Sequence, residues 1–445
     1  MKEESTKGLV ITIIVLAIIL GGLIIGLICT SNNNQNMPNG GGAPGGDMQQ
    51  NASSIEASGV EEITDEQTLK GTYESSESDQ SPIVVKDGGN ATIDGATINK
   101  SAGDSSNTEN SEFYGVNSGI LVQKDSTATI KNANISTSAK GSNAVFATGE
   151  NAKIYISDST ISTTGSGSSR GLDATYGGYI EADNVNITTQ GGSCATLATD
   201  RGEGTVIAKN SKLETNGSGS PVIYSTGDIS IANTTGTANG SQMVVIEGKN
   251  SATVENSNLT ASGKGNRGDT DQAGIMIYQS MSGDAGTGTG TFTATDANLS
   301  IQENSNYYKT APMFFITNTD AVINLSNTKL SYGSNVLISS KGTSEWGNSG
   351  SNGGNTTLNA TNQELNGNIE IDNISTLKMN LSNSKYTGTI NADNSAKEIT
   401  LKLDNNSSIT LTGDSYITSL EDADTSYSNI NFNGYKLYVN GTAIN

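Results

Sequence analysis

The chain has 445 residues, of which 33% are apolar, 5% are aromatic and 16% are charged. Forty-five acidic residues against 24 basic ones give a net charge of −21, and the chain contains no histidine. Such an acidic chain is poorly suited to bind nucleic acid or an anionic membrane surface, because like charges repel. The two cysteines, Cys29 and Cys194, are too few for a framework of disulfide bonds.

The N-terminal part of the sequence contains a candidate membrane anchor. Residues 8–29 are uncharged and rich in Ile, Leu and Val, and such a segment is long enough to cross a bilayer as a helix. Lys2 and Lys7 are the only basic residues before position 70, which favours a cytoplasmic tip at 1–7. We expect an uncleaved signal-anchor in the cell membrane, a single pass, and an extracellular remainder. A cleaved signal peptide and lipidation of Cys29 are the alternatives.

A low-complexity stretch follows the apolar segment. Residues 30–60 are dominated by Asn, Gly, Gln and Ser with two prolines, a composition that is typical of a flexible hydrated linker. From residue 61 onwards short apolar runs appear, and 61–85 is expected to form an irregular first coil. No long run with a helical period of 3.6 residues occurs after residue 60.

Beyond residue 90 a six-residue phrase recurs: apolar or Ala, polar, Asn or Asp, small, polar, apolar. A truncated copy starts at 231 and an extended one covers 403–409. The regular copies are 93–98, 130–135, 156–161, 182–187, 208–213, 254–259, 294–299, 325–330, 360–365 and 381–386. The third positions of successive copies are 21 to 40 residues apart, with the excess in Gly-, Ser- and Asn-rich stretches. An internal period of this size indicates a solenoid of stacked units.

The residues around each phrase predict short strands. Apolar and polar residues alternate before the phrase, as in 152–156, and a second apolar segment lies half a period upstream, as in 119–122. A third short segment follows the phrase. We therefore predict an all-β fold, a right-handed parallel β-helix of 11–13 coils, with its body at 61–410 and a C-terminal cap at 411–445. The handedness is inferred from the general rule for parallel crossovers.

The Asn or Asp in the phrase predicts a sharp bend between consecutive strands, because these residues tolerate the left-handed backbone conformation. Stacked on one another, their side chains are expected to form a hydrogen-bonded ladder. The residues assigned to this structural ladder are Asn132, Asp158, Asn184, Asn210, Asn233, Asn256, Asp296, Asn327, Asn362, Asn383 and Asn405.

The repeated phrases, together with 168–178, 194–204 and the ending at 411–441, resemble bacterial cell-surface right-handed β-helix proteins, which are pectin-lyase-like in fold and adhesin-like. The resemblance covers about residues 85–445. It implies a parallel β-helix exposed at the cell surface. It implies little about activity, since one fold supports many functions.

Two features suggest a binding site. Arg170 and Arg201, two of only three arginines, lie in consecutive repeats and are accompanied by Asp173, Tyr176, Asp200 and Glu203. This group is interpreted as a salt-bridge pair between coils, a patch that binds carbohydrate or carboxylate, or a catalytic centre. The sole tryptophan, Trp346, lies in a loop-like insertion, where it either packs on the solenoid or stacks on a sugar ring. Cys194 is expected to be a small inward-facing residue.

The function predicted from these features is non-enzymatic binding of glycans, host surfaces or other cells by a membrane-anchored protein. We expect no cofactor and no specific metal site, although the acidic surface is compatible with weak Ca²⁺ binding. One alternative is a lyase-like polysaccharide-active enzyme that uses Arg170 and Arg201. The other is a passive structural stalk.

Overall fold

The computed structural model describes residues 55–445. These residues form 43 strands and one seven-residue helix, α1, at Thr108–Tyr114. Strand pairing is parallel throughout this region except in the final hairpin, between Leu437–Val439 and Thr442–Ala443. Residues 55–445 thus form an all-β solenoid of long parallel sheets, the arrangement of a parallel β-helix.

Three long sheets make up the body of the solenoid, and two short ones extend it at the C-terminal end. Sheet 1 contains Ser58–Ile63, Gln80–Val85, Ile120–Val122, Val145–Thr148, Leu172–Thr175, Leu197–Thr199, Ile223–Ser225, Val244–Glu247, Ile275–Tyr278, Phe314–Thr317, Val336–Ser340 and Asn368–Ile371. Sheet 2 contains Glu66–Leu69, Asn90–Asp94, Thr127–Lys131, Lys153–Ser157, Tyr179–Asp183, Thr205–Lys209, Asp228–Ala232, Ser251–Glu255, Thr289–Thr295, Thr319–Ser326, Gly354–Thr361, Thr376–Ser382, Glu398–Leu403 and Ser419–Asp422. Sheet 3 contains Thr72–Ser75, Thr97–Lys100, Asn134–Thr137, Thr160–Thr163, Asn186–Thr189, Lys212–Thr215, Thr235–Ala238, Asn258–Ala261, Asn298–Ile301 and Lys329–Ser331. Sheet 4 contains Glu364–Asn366, Lys385–Gly388, Ser408–Leu411 and Ile430–Asn431, and sheet 5 contains Ser415–Ile417, Leu437–Val439 and Thr442–Ala443.

As far as residue 331, each coil of the solenoid visits sheets 1, 2 and 3 in turn, and each strand pairs with its equivalent in the next coil. In the C-terminal coils sheet 4 takes the place of sheet 3. Sheet 2 has 14 strands, more than the 11–13 coils predicted. The difference arises at the two ends, because Glu66–Leu69 and Ser419–Asp422 stack in the sheet without carrying the repeated phrase. The apolar core is continuous along the solenoid, since every coil contributes inward Ile, Leu, Val or Ala side chains.

The predicted membrane anchor and nearly all of the linker lie outside the described residues. Within residues 55–445, no helix is long and apolar enough to cross a membrane. The first strand starts at Ser58, inside the stretch expected to be linker. Helix α1 was not anticipated from the sequence, because seven residues are too few to display a helical period.

Most Asn and Asp residues of the phrase occupy the left-handed backbone region at the bend between sheets 2 and 3. Their φ angles lie between 44° and 55°, and Gly95 takes the same position in the first copy with φ 70°. Amide groups connect neighbouring coils: Asn184 Nδ2 donates to Asp158 Oδ1 at 2.7 Å, and Asn256 Nδ2 donates to Asn233 Oδ1 at 2.6 Å. Asn and Gly tolerate this conformation at the lowest cost, which explains the recurring residue type.

Asn405 differs from the other ladder residues and is outside the positive-φ group. Its copy of the phrase has one extra residue, which lies between Leu403 and Ser408, because Leu403 pairs in register with Leu381 and Ser408 pairs with Lys385. The Asp404 carboxylate accepts the backbone N–H of Asn383 at 3.0 and 3.2 Å. The assignment of Asn405 to the left-handed ladder was therefore wrong, because the extra residue changes the turn between these two strands.

Sheet 1 differs from sheets 2 and 3 in being covered on its outer face. Strands of sheets 2 and 3 alternate buried and exposed residues, whereas Val145–Thr148, Leu172–Thr175 and Phe314–Thr317 are buried at every position. Helix α1 provides part of the cover, since its Phe113 carbonyl accepts the Thr175 hydroxyl at 2.8 Å. A strand that is buried on both faces reads as a continuous apolar run.

Candidate binding cleft on the outer face of sheet 1

A cleft of about 290 Å³ lies on the outer face of sheet 1. Its lining includes Tyr224, Val245 and Met276, which occupy the same register position in three successive strands. Because stacked parallel strands are about 4.8 Å apart, these outward side chains lie side by side. The cleft is therefore a direct product of the register of the solenoid.

Three insertions in the repeat supply further lining residues. Residues 266–271 precede Ile275–Tyr278, residues 280–284 follow it, and Trp346 belongs to the loop after Val336–Ser340. Asp271 organises the first insertion: its carboxylate accepts the backbone N–H groups of Asn266 at 2.9 Å and Arg267 at 2.7 Å. The irregular spacing of the phrase thus marks the loops that build the site.

Trp346 is held in place by its neighbours. Only 8% of it is exposed, and it packs in an apolar cluster with Val245, Met276 and Phe315. Its ring meets the Tyr278 ring edge-on with a centroid distance of 5.2 Å. The Trp346 carbonyl accepts an amide hydrogen of Asn352 at 2.6 Å. Of the two interpretations of Trp346, packing on the solenoid describes its environment, and it also lines the cleft.

Glu247 is the most buried carboxylate among the lining residues, with 1% exposure. Its Oε2 accepts the hydroxyl of Tyr224 at 2.9 Å and that of Tyr278 at 2.8 Å, and its Oε1 accepts the Ser280 hydroxyl. Burial, together with the negative charge of Glu247, raises the pKa values of Tyr224 and Tyr278 well above the usual value for tyrosine. The two phenols therefore stay protonated and remain donors to the carboxylate at neutral pH.

Arg170 lies close to this group and is buried. It pairs with Asp173 at 2.6 Å and, across one coil, with Asp200 at 2.8 Å, and its guanidinium carbon is 5.8 Å from the centre of the Tyr224 ring. Burial alone would lower the pKa of Arg170, but the two carboxylates outweigh it and raise that pKa well above the usual value. Arg170 is therefore a permanent cation that is neutralised inside the protein.

The two carboxyl groups beside Arg170, those of Asp173 and Asp200, have raised pKa values, so their charged forms are disfavoured. Burial raises the pKa of Asp200 to about 7 in spite of the Arg170 charge, and it also raises the pKa of Asp173. Asp173 Oδ1 is buried and has no hydrogen-bond partner within residues 55–445. One guanidinium thus pairs with two buried carboxyl groups and cannot fully stabilise the negative charge of both. Asp200 therefore holds a proton over part of the neutral pH range.

Arg201 connects helix α1 to the wall of the cleft. Its guanidinium carbon lies 3.8 Å from the centre of the Phe113 ring. It also binds Asp284 with two nitrogens, Nε at 3.1 Å and Nη2 at 2.7 Å, and Asp284 lines the cleft. Arg201 and Arg170 therefore have separate carboxylate partners rather than forming one shared pair.

Of the binding residues predicted from the sequence, Trp346 lines the cleft, whereas Arg170, Asp173, Tyr176, Asp200, Arg201 and Glu203 lie outside its lining. Tyr176 stacks on Tyr114 with a centroid distance of 5.3 Å, and Glu203 pairs with Lys249 at 2.7 Å. Cys194 is buried, as expected from the sequence, and accepts the Ser169 N–H at 3.3 Å. Burial raises the pKa of the Cys194 thiol, which keeps it protonated.

Sequence reasoning missed Tyr224, Glu247 and Tyr278. The available signal was the continuous apolar character of the sheet 1 strands, which indicates a covered outer face. Glu247 and Tyr278 each end such a strand and are paired in register. A polar residue at the end of a strand that is buried on both faces, next to a long insertion, indicates that a cleft lies at that point.

Within the part of the chain that the structure describes, no group of three or more His, Cys, Asp or Glu residues is arranged to hold a metal ion. Comparisons with protein-family models, with curated proteins and with solved structures each returned no match. The chemistry of the cleft is therefore the basis for a functional proposal.

Proposed function

We propose that this protein is an adhesin-like, surface-exposed β-helix that binds carbohydrate in the cleft on sheet 1. The observation that carries the proposal is the composition of the cleft. Aromatic rings of Tyr224, Tyr278 and Trp346 lie next to fixed hydrogen-bonding groups such as Glu247 and Gln242. Sugars are bound by this combination, because their C–H faces pack on aromatic rings while their hydroxyls need directional partners.

The size of the cleft supports a short recognition element. Its volume of about 290 Å³ is at the lower end of small-molecule sites, which span roughly 300–1,000 Å³. A site of this size suits one or two sugar units of a longer glycan, with weak affinity per site. Many copies on one surface would then bind a polymer through multivalency.

Binding is a better proposal than lyase-like catalysis because both arginines already have carboxylate partners. A lyase needs a basic group that is free to remove a proton from the substrate. Arg170 is neutralised by Asp173 and Asp200, and Arg201 is held by Asp284. A passive stalk requires no cleft with buried polar groups, and is the outcome if no ligand is found.

The remaining features of the proposal concern location and winding. We propose that residues 8–29 anchor the chain in the cell membrane, with the solenoid outside the cell, and that the coils are right-handed, as in roughly 98% of parallel crossovers. The winding accords with the resemblance to bacterial surface β-helix proteins. Protease added to intact cells should release the solenoid, and full protection from protease would contradict this location.

Retention of the full chain on a panel of insoluble polysaccharides tests the proposal. We expect retention of the wild type and its loss in Tyr224→Ala, because this ring lines the cleft. Tyr435→Ala is the matched control, since Tyr435 is 38% exposed and is not a lining residue. Equal retention of both variants would place binding elsewhere. Cleavage of a polysaccharide into unsaturated products, abolished by Arg201→Ala, would favour the lyase.

A further inference from the structure

We propose that the cleft selects sugars that carry an ammonium group, with Glu247 as the counter-ion for that group. This inference rests on the proposed function and names the substrate class of the same site. It derives from the charge balance around the cleft, from the environment of Glu247 and from the aromatic lining.

The charge balance around the cleft is negative. The guanidinium groups of Arg170 and Arg201 are already paired with buried or half-buried carboxylates. The third, that of Arg267, belongs to an exposed residue of the lining. Among the carboxylates that line the cleft, Asp284 is matched by Arg201, which leaves those of Glu247 and Asp271 against the guanidinium of Arg267. A part-buried site with this excess attracts a cation and repels an acidic sugar.

Among these acids, Glu247 has a carboxylate that contacts only neutral groups and no cation. Its three contacts, with Tyr224, Tyr278 and Ser280, are all neutral hydroxyl donors. Among the ion pairs of residues 55–445, none includes Glu247, although it is only 1% exposed. Desolvating a carboxylate without a cation is costly, and a cationic ligand would recover much of that cost.

The aromatic lining suits the same ligand. The Tyr278 hydroxyl contacts the carboxylate, the Trp346 ring packs edge-on against the Tyr278 ring, and the Tyr224 ring lies 5.8 Å from the guanidinium carbon of Arg170. Aromatic faces attract ammonium groups, most strongly where water is excluded. A protonated amino sugar offers both an apolar ring face for stacking and an ammonium group for Glu247, whereas its N-acetylated form offers only the former.

The test compares three soluble tetrasaccharides of one linkage: glucosamine, N-acetylglucosamine and glucose. Calorimetric titration of the detergent-solubilised full chain at pH 6 should show the glucosamine oligomer binding on the order of tenfold to a hundredfold more tightly, the range of one charge-assisted hydrogen bond. Glu247→Gln should abolish this preference while retaining an acceptor. Glu421→Gln removes the same charge from the exposed pair with Lys402 and should leave the preference intact.

The outcomes separate the inference from the proposed function. Equal affinity for the three oligomers, or equal weakening of all three by Glu247→Gln, would overturn the ammonium proposal while carbohydrate binding stands. A preference that appears only after calcium is added would overturn it as well. Binding of no glycan in either this titration or the polysaccharide panel would overturn both. If Glu247→Gln unfolds, Tyr278→Phe, which removes one donor and keeps the charge, should still prefer glucosamine.

Discussion

Replacing Asp200 with Asn should remove most of the pH dependence of stability near neutrality. Burial raises the pKa of Asp200 from 3.8 to about 7, so that the folded chain keeps a proton that the unfolded chain has lost. An acid whose pKa is raised on folding makes the protein less stable as the pH rises towards that pKa. Each pKa unit corresponds to about 1.4 kcal/mol. Between pH 5 and pH 8 the wild type should therefore lose roughly 3 kcal/mol.

The fluorescence of the sole tryptophan, Trp346, can report this loss of stability near Asp200. Trp346 contacts Tyr278, whose pKa is itself raised in part by Asp200, so its fluorescence reports on the same part of the solenoid. Urea titrations should give a lower midpoint at pH 8 than at pH 5 in the wild type. Asp200→Asn should give similar midpoints at both pH values, and the exposed control Asp393→Asn should behave as the wild type. A wild-type midpoint that is unchanged or rises from pH 5 to pH 8 would refute the reasoning.

Three further predictions follow from individual contacts. Asn184→Val should lower the free energy of unfolding by about 1–3 kcal/mol, because a β-branched residue is strained at φ 55°. Asn184→Gly should be tolerated, and both variants should still bind glycan. Chemical denaturation measures the stability, and the retention assay measures the binding. Tyr278→Phe removes one donor to buried Glu247 and should cost on the order of 1–3 kcal/mol in a urea titration; a neutral result would mean that the carboxylate is hydrated. Arg201→Ala should release the 280–284 loop from helix α1, so that limited proteolysis cuts the loop faster, and an unchanged rate would show that the Asp284 contact does not hold it.

The solenoid was predictable because its determinants are local. Each bend needs a residue that tolerates positive φ, and each strand next to it needs alternating apolar residues, so both features recur in the sequence at every coil. Asn184 and Asn256 illustrate this, since each bonds to a residue in the previous coil's equivalent bend. The pattern failed at Asn405, where one extra residue between Leu403 and Ser408 changes the turn and the Asp404 carboxylate accepts the Asn383 N–H.

The cleft was only partly predictable because its residues meet through register rather than through sequence spacing. Arg170, Asp173 and Asp200 were grouped correctly, since they lie in consecutive repeats and do contact one another. Their burial was not foreseen, because helix α1 and the insertions that cover sheet 1 carry no periodic signal. Glu247 was missed for the same reason: its partners come from neighbouring coils and from an irregular loop.

Tryptophan fluorescence during a glycan titration tests the central claim most directly, because the only tryptophan lines the cleft. With a glycan that the full chain retains, we predict a saturable change in Trp346 emission that is weakened by Tyr224→Ala and unaffected by Tyr435→Ala. Retention of the glycan without any change in Trp346 emission would contradict the assignment of the cleft on sheet 1 as the binding site.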